Sequence, residues 1–88
     1  MKLKDGFMLR EIAGTWVVVP IGQRVVEFNG LMTLSDSGAL LWKKLQSGAE
    51  VYELLDEIMK EYEIDKTTAK EDVEEFIYEI QRKGLFQQ

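Results

Sequence analysis

The stretch VVEFNGLMTLSDSGALLW, residues 25–42, decides how this chain is organised. Its Asn29-Gly30 pair lies between apolar residues, and such a pair best tolerates the positive φ angles of a two-residue hairpin turn. From Ser35 onward the apolar period changes from two to helical spacing, and Ser35 or Asp36 can cap the helix. The stretch therefore predicts extended runs at residues 24–28 and 31–34 followed by a helix, although a bulge in one longer strand also fits the Asn-Gly pair.

The residues before this stretch predict a second hairpin. The segments FMLREIA, residues 7–13, and TWVVVPI, residues 15–21, are rich in aromatic and β-branched residues, and Gly14 separates them. Pro20 cannot donate to a ladder and belongs near a strand end or on an edge. We expect an N-terminal antiparallel sheet of three, possibly four, strands.

Two more helices are predicted after the stretch. Ser47 and Glu50 have capping-box spacing and precede an amphipathic stripe. Asp65 can cap a third helix that stops at Gly84, with Leu85 placed for the apolar contact of a Schellman-type end. The order predicts an α+β fold in which residues 1–88 form a single winged helix-turn-helix-like domain.

Composition excludes several classes of protein. The 88 residues are 45% hydrophobic and 31% charged, and no apolar run approaches the roughly 18 residues that span a bilayer. Without an apolar N-terminal segment and cleavage site, we expect a cytoplasmic protein with no membrane partner. The chain has no Cys and no His, which removes thiolate chemistry, zinc sites built from Cys and His, and nucleophile-histidine pairs. We expect neither catalysis nor a bound cofactor or metal.

The winged helix-turn-helix order raises DNA binding as an alternative function. The formal net charge of -5 opposes binding to phosphate backbones. The third predicted helix, the usual reader of the major groove, carries acids with no base between them: Glu71, Asp72, Glu74, Glu75 and Glu79. A DNA-binding regulator is therefore the runner-up, and no nucleic-acid partner is expected.

A peptide-binding sheet edge fits the sequence better. A small sheet leaves an edge with unpaired amides and carbonyls, and residues 31–34 carry no charge to protect one. An extended peptide can add there as a further strand, with alternate side chains entering an apolar groove. Ordinary core packing is the competing interpretation for four of the apolar residues, which are Val25, Phe28, Leu31 and Leu34.

Four segments together resemble the PqqD family. They are GFMLREIAGTWVVVP at residues 6–20, FNGLMTLSDSGALLWKKL at 28–45, LLDEIMKEYEID at 54–65 and DVEEFIYEIQRKGLF at 72–86, with Gly38, Trp42, Tyr62, Asp72 and Gly84 at recurring places. The resemblance implies a RiPP recognition element, a non-catalytic adaptor that binds the leader of a ribosomally synthesised precursor peptide. It also implies a modifying enzyme as partner, commonly a radical S-adenosylmethionine enzyme that holds its own cofactor, or in other relatives a lasso-peptide protease.

In that family the leader adds to the third strand and packs against the third helix. The resemblance places the leader here against residues 31–34, with nearby residues of 25–28 as alternatives because the connection at residues 22–30 is long. One margin of the third helix would line the groove. The predicted peptide-binding residues are Val25, Val26, Phe28, Leu31, Met32, Thr33, Leu34, Lys70, Val73, Glu74, Ile77 and Gln81. We expect a monomer.

Overall fold

The structure, a computed structural model, describes residues 1–28 and 32–87. These described residues form three strands and four helices, and the predicted α+β fold is confirmed. In chain order the elements are β1 (Phe7–Ile12), β2 (Thr15–Pro20), α1 (Arg24–Glu27), β3 (Met32–Leu34), α2 (Asp36–Leu45), α3 (Val51–Tyr62) and α4 (Lys66–Arg82). The three predicted helices are α2, α3 and α4.

The first two strands form the predicted hairpin. Ile12 pairs with Thr15 across a two-residue turn made by Ala13 and Gly14, whose φ angles are 52° and 80°. Two positive φ angles in succession match the twist of a type I′ turn to that of the strands. Pro20 is the last residue of β2, where a missing amide donor breaks no internal ladder bond.

The third strand pairs antiparallel with β2, and the sheet order is β1-β2-β3. Cross-strand partners are Trp16 with Leu34 and Val18 with Met32. The sheet therefore has three strands within the described residues, and β3 lies at one side of it.

Residues 24–28 are not a strand, so the extended run predicted there is wrong. Arg24–Glu27 is a single helical turn, α1, and its amides bond locally, as in the bond from Val25 N to the carbonyl of Gly22 at 3.3 Å. The Arg24 side chain holds this turn in place by donating to the carbonyl of Asp5 at 3.0 Å and to Glu27 Oε2 at 2.7 Å. The predicted Asn29-Gly30 turn lies outside the described residues.

Local hydrogen bonds cap the starts of α2 and α4 and the end of α4 as predicted. Ser35 Oγ accepts from the amide of Gly38 at 3.1 Å, and Asp65 Oδ1 accepts from the amide of Thr68 at 2.8 Å. At the end of α4 the amide of Leu85 donates to the carbonyl of Ile80 at 3.1 Å, which is the Schellman bond. Gly84, with a φ of 71°, provides the left-handed residue that this motif requires.

The start of α3 differs from the prediction. Glu50, not Ser47, is the N-cap residue, and it forms a capping box with Glu53. The link before this helix contacts the first residue, since the Ala49 amide donates to the carbonyl of Met1 at 2.9 Å.

One apolar core lies between the sheet and the three longer helices. Its largest fully buried side chains are Trp42, Leu41, Leu45, Leu54, Ile58, Ile80 and Val73. The two ends of the chain close over it, since Leu3 and Phe86 form a β-bridge. None of the helices in the described parts of the chain is both long and apolar enough to cross a bilayer.

Candidate functional site

The hydrogen-bond register of the hairpin decides which backbone groups of the sheet remain available. The amide of Ile21 donates to the carbonyl of Gly6 at 2.8 Å, so this pair belongs to the hydrogen-bonded class. The two classes alternate along an antiparallel ladder, so every second residue of β2 faces β1. Trp16 and Val18 alternate with the residues that face β1, so their N–H and C=O groups face β3.

The same alternation leaves Thr33 at the open edge of the sheet. Leu34 and Met32 pair with Trp16 and Val18, so their amides and carbonyls are used against β2. Thr33 lies between them and directs its N–H and C=O to the other side. No strand in residues 1–28 or 32–87 pairs with that side, which makes the edge available to an added strand.

A groove of about 510 Å³ lies between this open edge and α4. We call it the β3–α4 groove. It is lined by β3, the first turns of α2 and one face of α4, and the residues are Met32, Thr33, Leu34, Ser35, Ser37, Gly38, Leu41, Asp72, Glu75, Phe76, Glu79, Arg82 and Lys83.

The groove has an apolar floor and polar walls. Leu41 and Phe76 are 1% and 7% exposed, and Met32 and Leu34 are half-buried against the core. Gly38 brings the first turn of α2 close to β3, since a Cβ atom there would lie 3.4 Å from Leu34 Cβ. The floor can therefore take apolar side chains from an extended chain lying along the edge.

The α4 wall of the groove is charged. Arg82 Nη2 donates to Glu79 Oε2 at 3.0 Å, and this hydrogen bond lowers the pKa of Glu79 and raises the pKa of Arg82. No ion pair within the described residues joins Asp72, Glu75 or Lys83. The wall thus presents two carboxylates in the middle of α4 and a lysine at its C-terminal cap.

The predicted residues near β3 fall into two groups. Met32, Thr33 and Leu34 line the groove, and Leu31 lies outside the described residues. The other group belongs to the α1 region and does not line it. Val25 and Val26 are 56% and 87% exposed on α1.

Phe28, the last of the predicted residues before β3, is likewise not part of the groove lining. Its half-buried ring packs edge-to-face against Phe7, with 4.9 Å between the ring centroids. It therefore supports the packing of α1 on β1.

The predicted margin of α4 differs from the face that lines the groove. Val73 is fully buried in the core, and Ile77 is half-buried against it. Lys70, Glu74 and Gln81 are exposed and are not among the lining residues. The groove uses the opposite margin of the same stripe, and the sequence of one helix does not tell which margin will face the sheet.

Sequence reasoning missed most of the α4 wall and the contribution of α2. Asp72, Glu75, Glu79 and Arg82 recur at intervals of three and four residues, which places them on one flank of the helix. That periodicity indicates a polar flank that could line a groove, but both flanks of α4 show it, so it does not choose between them. For Ser37 and Gly38 the signal was their place directly after the edge strand.

Metal ligation has no support in the structure as described. In residues 1–28 and 32–87, no three carboxylate side chains come together in a way that would hold an ion, and the sequence provides no Cys or His.

The chain is similar to known proteins in both sequence and structure. The family model described as "Coenzyme PQQ synthesis protein D (PqqD)" matches residues 15–85. A solved structure described as "TbiB1 in Complex with the TbiA(beta) Leader Peptide" is similar, with 26% identity, 97% of this chain and 93% of that chain covered, and a TM-score of 0.74. No curated protein sequence matches significantly.

A second solved structure, "Lasso peptide synthetase B1 complexed with the leader peptide", has a TM-score of 0.72 with 96% of this chain and 93% of that chain covered. Its identity is 19%, so the likeness concerns the fold alone.

Proposed function

This chain belongs to the PqqD family, and we propose that it binds the leader region of a ribosomally synthesised precursor peptide and presents it to a modifying enzyme. The leader adds as a strand to the open edge of β3, and its side chains enter the β3–α4 groove. The chain itself carries out no chemistry. The observation that carries the proposal is an unpaired strand edge directly beside an apolar-floored groove.

The backbone of β3 supports strand addition. Thr33 directs both its N–H and its C=O to the open side, and a peptide strand satisfies both groups in the way that a further sheet strand would. Each such hydrogen bond contributes about 0.5–1.5 kcal/mol net. Because these bonds use only backbone, they provide affinity without depending on the peptide sequence.

The groove supplies the selective part of the interaction. Side chains of an extended peptide alternate in direction, so every second one points toward the floor formed by Leu41 and Phe76. Burying one large apolar side chain there contributes about 1.5–3 kcal/mol. A leader with apolar residues at alternate positions therefore fits this groove.

One solved complex supports this proposal. TbiB1, which is 26% identical to this chain over nearly its whole length, was solved with the TbiA(beta) leader peptide. The same fold in a leader-bound relative supports a leader as the occupant of this groove.

The proposed partner enzyme is a radical S-adenosylmethionine enzyme. It holds the iron-sulfur chemistry, for which this chain has no cysteine ligands. By holding the leader, the adaptor raises the local concentration of precursor at that enzyme. A dissociation constant near micromolar corresponds to a binding free energy of about 8 kcal/mol in magnitude. That affinity is tight enough for capture and still allows release after processing.

The direct test is a fluorescence anisotropy titration. The probe is a labelled leader from the precursor peptide encoded beside the gene for this chain, and the control is a scrambled peptide of the same composition. We expect saturable binding at about micromolar concentration for the leader alone. Equal anisotropy changes for the two peptides would contradict the proposal.

The adaptor role is tested separately from binding. Modification of the precursor by its radical S-adenosylmethionine enzyme should slow when this protein is left out, because the enzyme then meets its substrate only by free diffusion. An unchanged rate at low precursor concentration would limit the protein to binding without presentation.

A further inference from the structure

The direction of α4 relative to β3 follows from contacts at its two ends. Partial burial of the Tyr62 ring and the negative charge of Asp36, at the start of α2, raise the pKa of Tyr62 at the end of α3. Asp36 Oδ1 also accepts from Trp16 Nε1 at 3.1 Å, and Trp16 pairs with Leu34. An N-terminal end of α4 near the Leu34 end of β3 agrees with these contacts, because α4 begins shortly after Tyr62.

The other end of α4 lies near the beginning of β3. The amide of Lys4 donates to the carbonyl of Leu85 at 2.8 Å, and three residues later Phe7 begins β1 opposite Pro20. This is the end of the sheet at which β3 begins, because Met32, the first residue of β3, pairs with Val18 of β2. The helix α4 therefore runs opposite to β3 along the groove.

Charge in the groove is consequently ordered along its length. Asp72 and Glu75 lie toward the Leu34 end, and Lys83 lies toward the Met32 end, while Glu79 and Arg82 pair with each other. From Asp72 to Lys83 the helix rises about 16 Å, at about 1.5 Å per residue. An extended peptide covers that distance in about five residues, at about 3.4 Å per residue.

A strand added to β3 is expected to run antiparallel to it. Both pairings already in the sheet are antiparallel, and that arrangement is the more stable per residue. The N-terminal part of the docked segment then lies beside Asp72 and Glu75, and its C-terminal part lies beside Lys83.

Resting on the proposed function, we infer that the β3–α4 groove selects leaders by charge order. The docked segment carries a lysine or arginine at its N-terminal end and an aspartate or glutamate about five residues later. Asp72, Glu75 and Lys83 are the residues that determine this specificity. A segment with the two charges in the opposite order meets like charges at both ends of the groove.

The test reverses charges on both molecules and measures binding by fluorescence anisotropy. The peptides are the leader of the titration described above and a set of its variants in which one charged residue at a time is reversed. The protein variants are Glu75→Lys and Lys83→Glu. Their matched controls are Glu71→Lys and Lys66→Glu, which make the same charge changes at exposed α4 positions outside the groove. Circular dichroism confirms that each variant retains its helices.

We expect Glu75→Lys and Lys83→Glu each to weaken binding of the unaltered leader by about tenfold at low salt, with the controls close to wild type. Reversal of one leader cation should restore binding to Glu75→Lys, and reversal of an acid about five positions later should restore binding to Lys83→Glu.

Two results would overturn the inference while leaving the proposed function intact. The first is that neither Glu75→Lys nor Lys83→Glu changes the affinity for the leader, and the second is that the leader residues that restore binding occur in the opposite order. Failure of the wild-type protein to bind the unaltered leader would instead remove the proposed function.

Discussion

In the proposed complex, Thr33 binds the leader through its backbone rather than its side chain. Its side chain is exposed, whereas Met32 and Leu34 on either side are half-buried and use their amides against β2. The neighbouring residues therefore hold the edge in place, and we propose that Thr33 offers its N–H and C=O to an incoming strand.

Replacing Thr33 with proline tests this division of roles. Thr33→Pro removes the outward N–H, so leader binding should weaken by about two- to tenfold, as expected for one net hydrogen bond. Anisotropy measures the affinity, and Thr33→Ala, which keeps the amide, is the control. Thermal unfolding should change little, because proline is tolerated where an edge-strand amide faces solvent.

Met32→Pro is the companion variant, and it should lower stability where Thr33→Pro does not. Its amide faces β2, so its loss breaks a ladder bond and lowers the unfolding temperature. If Met32→Pro kept full stability while Thr33→Pro lost it, the assigned register would be wrong.

At the scale of elements, α4 is specified at both ends by its own sequence. Asp65 caps the first turn, and the Schellman bond from Leu85 to Ile80 closes the last one. Between them the buried stripe contains Ala69, Val73, Phe76 and Ile80. The stripe fixes which side of the helix is buried, while the neighbouring elements decide which flank borders the groove.

The Asp65 cap should make stability depend on pH. Hydrogen bonds from Thr68 lower the pKa of Asp65 in the folded protein below its usual value of 3.8. The ionised cap therefore stabilises the fold above that value, and the contribution is lost as pH falls through the lower folded pKa.

Asp65→Asn keeps a capping oxygen but does not titrate in this range. We expect the wild type to have the higher urea midpoint near neutral pH, and the difference to shrink below about pH 4. A difference that stayed constant down to about pH 2 would show that the folded pKa is not lowered.

At the scale of the whole molecule, charge opposes the winged-helix alternative. The chain has a formal net charge of -5, and exposed carboxylates of α4, including Glu71, Glu74 and Glu75, lie on the helix that would read a major groove. Duplex binding depends on Lys and Arg that displace counterions from phosphates, and this helix face provides few of them.

A gel-shift assay with duplex DNA at low salt should therefore give no retarded band. Low salt favours even weak phosphate contacts, so it is the most permissive condition for the rival function. A band that forms there and fades as salt is raised would favour a DNA-binding regulator. The leader peptide in the same buffer serves as the positive control for active protein.

The amino-acid sequence by itself determined the features that depend on residues close together in the chain. The type I′ turn between β1 and β2, the caps at Ser35 and Asp65, and the helix end at Gly84 each rest on contacts within a few residues. The apolar spacing likewise determined the three long helices and the α+β order, because each pattern has only one face to bury.

Only the tertiary structure decided the features that depend on distant partners. The turn at residues 24–27 is held by Arg24 bonding to Asp5, and the link before α3 is held by a hydrogen bond from the Ala49 amide to the Met1 carbonyl. The groove-lining margin of α4 was decided in the same way. Both flanks of its apolar stripe are polar in sequence, and packing against α2 and α3 turned the flank with Asp72 and Glu75 toward β3.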